Sequence, residues 1–122
     1  MVDAQRATPT RGEWIVVTLP AEIDITNARR LGGELGTALA SATMVIADMS
    51  ATTFCDSSGI RILLLAHEQA AAAAIDLRLV VPSAAVLRAL ALVGADRLLP
   101  VYPSLQDALG TAHGGSAAAA AG

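Results

Sequence analysis

At 122 residues the chain is one domain long, and by size scaling it buries roughly two-thirds of its unfolded surface, so it needs no metal or disulfide staple. Apolar residues make up 54%, with 27 alanines and only 2% aromatics, so the core is aliphatic. A net charge of -3, eight arginines with no lysine or basic run, one cysteine and two distant histidines exclude an intramolecular disulfide and argue against direct nucleic acid binding and a metal or other cofactor.

The opening MVDAQRATPTRGE lacks the apolar stretch of a signal peptide, and no apolar run approaches the ~20 residues of a membrane span, so the expected compartment is the cytoplasm, with no membrane partner. Trp14 to Leu19 is β-branched and aromatic and stops at Pro20, and Arg11-Gly12-Glu13 is positioned to turn it back onto a weak strand near Val2 to Thr8, giving an antiparallel edge hairpin. After Glu22-Ile23-Asp24-Ile25, Thr26 is the expected cap of a helix with Ala28, Leu31, Leu35 and Leu39 on its apolar face. Gly32, Gly33 and Gly36 make that helix depend on packing, at about 1 kcal/mol each against alanine.

Met44 to Met49 is almost wholly apolar, as suits a strand covered on both faces near the sheet centre. A connection from Ser50 to Cys55 leads to Asp56-Ser57-Ser58-Gly59 and a long helix from Ile60 to about Ala73. Residues 75–81 alternate as a strand with one buried and one more polar face, parallel to the preceding strand through a crossover helix. Ser83 caps a third helix that Gly94 stops. Leu98 to Tyr102, interrupted by Pro100, is an edge strand, and Ser104 with Asp107 forms a capping box for a short fourth helix. These elements predict a single α/β domain over residues 1–110, with a mostly parallel central sheet, an antiparallel edge hairpin, about five strands and four helices. Residues 111–122 read as a flexible Gly/Ala-rich tail.

The chemistry concentrates at Asp56-Ser57-Ser58-Gly59, where a strand end feeds a helix start and side chains meet unpaired amides. The helix dipole favours an anion there, and Gly59 leaves room for a partner's backbone or a phosphate. One serine is free if the other caps the helix, and residue chemistry alone leaves either Ser57 or Ser58 open to modification. The bland alternative is a turn whose serines only satisfy helix amides.

The run VIADMSATTFCDSSGIRILLLA, with LPAEIDITNARRL upstream and LRLVVPSAAVLRALALVGADRLLPVYPSLQDAL downstream, resembles the STAS-domain family of bacterial anti-sigma factor antagonists over roughly Trp14 to Leu109. The resemblance implies a regulatory binding protein, not an enzyme, whose partner is an anti-sigma factor with serine kinase activity. It implies phosphorylation at Ser58, with Ser57 the alternative, reversed by a separate phosphatase. Glu22 and Asp24 correspond to the family's acidic segment near that serine, although Ala21 stands where a glycine is usual. Asp56, Ser57, Ser58, Gly59 and Arg61 complete the implied partner-binding set.

Two rival readings use the same residues. Cys55 and Arg61 satisfy the Cys-x5-Arg pattern of thiolate phosphatases, yet Asp56 places a carboxylate where the phosphate must lie. A small-anion or nucleotide-binding module is the other, although neither a glycine-rich loop nor a following lysine is present.

Overall fold

The structure, a computed structural model, describes residues 14–110. Strands β1 (Trp14–Thr18), β3 (Met44–Asp48), β5 (Asp76–Val80) and β6 (Val101–Tyr102) form one sheet in the order β1-β3-β5-β6, with every pairing parallel. A second, two-stranded parallel sheet joins β2 (Glu22–Ile23) to β4 (Phe54–Cys55). Among the described residues four α-helices complete the order: α1 (Ala28–Leu39), α2 (Ser57–Ala73), α3 (Ala84–Leu92) and α4 (Leu105–Gly110), with a 3-10 turn at Ala95–Arg97. The α/β class and parallel sheet match expectation, with β3 central and β6 at an edge. The hairpin partner near Val2 to Thr8 and the tail at 111–122 lie outside the described residues.

Side-chain alternation divides the sheet into two faces. Val45, Ala47, Leu77 and Leu79 enter the main core with Leu31, Leu35 and Leu63 of the helices, while Met44, Ile46 and Val80 pack with Ala108 of α4 on the other face. Met44 through Ala47 are all buried, which explains the unbroken apolar run of β3. Helices α1 and α2 pack together closely enough that a methyl at Gly32 would stand 3.4 Å from Ile62 Cβ. That approach gives the glycine-rich α1 its packing in place of propensity.

Several local expectations need correction. The N-cap of α1 is Asn27, not Thr26. Asp24 Oδ1 accepts from both Thr26 N and Thr26 Oγ1, drawing Thr26 into a turn of its own. The connection after Ser50 contains strand β4, too short for a period to reveal. The expected polar face of β5 is absent because Arg78 is buried, its guanidinium paired with Asp76 and donating to the Ala108 carbonyl. By contrast Ser83 Oγ accepts from Val86 N at 3.3 Å, Ser104 Oγ accepts from Asp107 N at 3.0 Å, and Gly94 adopts φ +77°. These three termini follow the expected chemistry.

Candidate functional site

The site is built on the small β2–β4 ladder. Asp56 N donates to the Ile23 carbonyl at 3.1 Å, which ties the start of α2 to the end of β2. Gly59 then comes down on this ladder: a methyl there would stand 2.6 Å from Cys55 Sγ and 2.7 Å from Ile23 Cγ2. Only glycine fits that approach without a shift of its neighbours. Two segments about thirty residues apart in sequence, Glu22 to Asp24 and Cys55 to Gly59, thereby share one platform.

The helix begins at Ser57, three residues earlier than the apolar periodicity predicts, and its N-cap is Asp56 and not a serine. Asp56 has extended backbone geometry, and its Oδ1 accepts from Ser58 N at 2.9 Å and from Gly59 N at 3.3 Å. The same oxygen accepts from Ser58 Oγ at 2.6 Å. The Ser58 hydroxyl and the two backbone amides together hold the Asp56 carboxyl below its ordinary range, against a smaller opposing effect of desolvation. Aspartate leads here because it is anionic as well as a cap, and so also complements the helix dipole.

The two serines differ. Ser57 is exposed and its hydroxyl has no hydrogen bond among the described residues; Ser58 is half-buried and its hydroxyl is committed to Asp56. Neither is sealed beneath packed neighbours. Glu22 is exposed and Asp24 half-buried on the adjoining strand end, but the Asp24 carboxylate bonds Thr26 and no bond joins it to Ser58.

Beside the serines lies an open, shallow groove lined by Ser57, Ser58, Arg61, Leu64, Leu65 and Val93 among others. Val93 is 62% exposed and Leu65 46%, and two further large apolar side chains are exposed, Phe54 on the ladder itself and Ile25 just after β2. Exposed apolar side chains gathered around a polar feature are typical of interaction surfaces. The sequence reading expects a partly apolar docking surface around Ser58 and the helix after it, and the run Ile60, Ile62, Leu63, Leu64, Leu65 does supply more apolar positions than one helix face can bury. It does not single out Val93, Ile25 or Phe54.

The rival chemistries fare poorly in this geometry. Burial, and then the Asp56 charge, push the Cys55 thiol up to about 11, the reverse of what a thiolate nucleophile needs. Its sulfur lies under Gly59 and against β2, whereas Arg61 is exposed in the groove, so the two do not form one phosphate cradle. The Ser58 and Gly59 amides are already occupied by the Asp56 carboxylate, with which an external anion or nucleotide phosphate would have to compete. Among the described residues no group of three or more His, Cys, Asp or Glu is placed to hold a metal ion, and no helix is long and apolar enough to cross a membrane.

A family model described as the STAS domain matches residues 5–108. Among solved structures, an anti-sigma factor antagonist from Mycobacterium paratuberculosis is 31% identical with a TM-score of 0.71, over 80% of this chain and 83% of that one. The anti-sigma factor antagonist SpoIIAA in its unphosphorylated form is 24% identical with a TM-score of 0.67, over 82% of this chain and 87% of that one. The Bacillus cell fate determinant SpoIIAA in its phosphorylated form is 22% identical with a TM-score of 0.63, over 85% of this chain and 94% of that one. No curated protein matches the chain by sequence.

Proposed function

The chain belongs to the STAS domain family, and on that premise we propose that it is an anti-sigma factor antagonist, a binding protein and not an enzyme, switched by phosphorylation of Ser58. In its unmodified state the surface around Ser58 and the groove beside α2 bind an anti-sigma factor that is also a serine kinase, and sigma factor is released. The partner contacts are Glu22, Asp24, Asp56, Ser57, Ser58, Gly59 and Arg61, together with the exposed apolar residues beside them. A separate phosphatase restores the unmodified state, and the protein works in the cytoplasm.

The observation that carries this reading is the Ser58 hydroxyl bonded at 2.6 Å to the Asp56 carboxylate, at a helix start beside an apolar groove. Esterifying that oxygen removes the hydrogen bond and sets about -1.5 to -2 charges against a carboxylate. An apolar, partly desolvated interface does not accept such a cluster of negative charge. The fold itself remains, because Ser58 is half-buried and its side chain lies outside the main core. The existence of SpoIIAA in both an unphosphorylated and a phosphorylated form supports the same two-state scheme for this chain.

The test is binding to candidate anti-sigma kinases, with and without ATP, followed by mass spectrometry of the modified chain. Phosphate is expected on Ser58, and Ser58→Asp, with its fold checked by circular dichroism, is expected to bind the partner at least tenfold more weakly, as like-charge contacts at an interface do. Ser58→Ala retains binding but takes no label. Undiminished binding by the Ser58→Asp variant or by the phosphorylated protein would overturn the switch.

A further inference from the structure

We propose that the exposed face of α2 is its own complement and pairs two copies of this chain about a two-fold axis that crosses the helix between Leu64 and Leu65. Ser57, Arg61, Leu65, Glu68 and Ala72 of α2 are exposed, with Leu64 half-buried beside them. At about 3.6 residues per turn these positions fall on one stripe along the helix. The centre of the stripe is apolar, and its two charges have opposite sign. Arg61 stands as far before the Leu64–Leu65 midpoint as Glu68 stands after it, and the two lie about 10 Å apart along the axis and almost in line.

Such a pattern complements itself when reversed. A second α2 laid antiparallel across the first brings Leu64 and Leu65 against their own copies. Its Glu68 then lies opposite Arg61 and its Arg61 opposite Glu68, so two symmetry-related ion pairs flank one apolar contact, the isologous arrangement of a two-fold dimer. Within one chain both charges are unpaired. Residues three or four apart on a helix meet, as Arg30 and Glu34 of α1 do at 3.2 Å, but Arg61 and Glu68 are too far apart for that, and neither makes an ion pair or hydrogen bond among the described residues. Val93 from the end of α3 lies in the same groove, 62% exposed, and widens the apolar surface that a second helix covers. Ser57 and Ser58 also line that groove, so the paired form covers them. Where they receive a macromolecule, as proposed above, that partner must first displace the second copy. The pairing itself requires neither kinase nor phosphate.

The two charges can be exchanged without touching the core. Sedimentation equilibrium of the whole chain, from micromolar to millimolar concentration, compares the wild type with Arg61→Glu, with Glu68→Arg and with the double exchange, and circular dichroism checks the fold of each. The wild type is expected to pass from monomer to dimer as concentration rises. Each single reversal sets like charges together at both ends of the contact and is expected to raise the dimer Kd by roughly tenfold or more. The double exchange restores opposite signs and is expected to return Kd to the wild-type value. In an equal mixture of the two single variants an acidic stripe meets a basic one, and heterodimers are expected at concentrations where neither variant associates alone. A wild type that stays monomeric at millimolar concentration, single reversals that dimerise as the wild type does, or a mixture that stays monomeric overturns the pairing while leaving the Ser58 switch as it stands. Absence of phosphate on Ser58 overturns the switch and leaves the pairing.

Discussion

Gly59 has no side chain because Cys55 and Ile23 already occupy the space one would take. Gly59→Ala is therefore expected to lower stability by roughly 1–3 kcal/mol, the usual penalty for overpacking, measurable as a fall in the urea midpoint. Alanine is otherwise the better helix former, so a gain in stability would show that the ladder yields easily. The turn was visible in the sequence as a strand-to-helix junction, and its resemblance to known antagonists singled out Ser58. The capping assignment was not visible. Asp56, Ser57 and Ser58 are all good caps, and the choice depends on which of them has extended backbone geometry, which sequence does not specify. Once Asp56 is the cap, the roles of the two serines follow from it, one bonded and one not.

At the scale of elements, the two ends of α2 contrast. Its start has an aspartate cap, while its end places Ala74 in the left-handed region at φ 58°. A methyl-bearing residue there costs about 1 kcal/mol that glycine does not pay, so Ala74→Gly is expected to raise the melting temperature by a few degrees without altering partner binding. The helical period of α2 and the unbroken apolar run of β3 were legible. The two-residue strands β2 and β4 were not, because such pairing has no repeat to detect and arises only once the flanking loops are in place. The Thr26 expectation failed for a related reason: Asp24 competes for the same local hydrogen bonds and draws Thr26 into its own turn.

Across the whole molecule the sheet separates a large core beneath α1, α2 and α3 from a smaller one beneath α4. Arg78 joins α4 to the sheet. Its guanidinium pairs with Asp76 at 2.7 Å, lies 5.6 Å from the Tyr102 ring centroid and donates to the Ala108 carbonyl. Arg78→Ala strips a buried carbonyl of that donor, and the expected loss is roughly 1–3 kcal/mol, accompanied by faster amide exchange across 105–110 and unchanged exchange in β3. The alternation of β5 suggested an exposed arginine because sequence period assigns a face but cannot say that a later helix covers it. Parallel order and helix number were legible because each β-α-β step allows few alternatives.

The β2–β4 ladder has only two rungs and stands apart from the four-stranded sheet. Its inward side chains, Ile23 and Cys55, nevertheless belong to the main core, so the serine-bearing corner opens only with the body behind it. A macromolecule docking at that corner therefore meets a surface already shaped, with little left to order on contact.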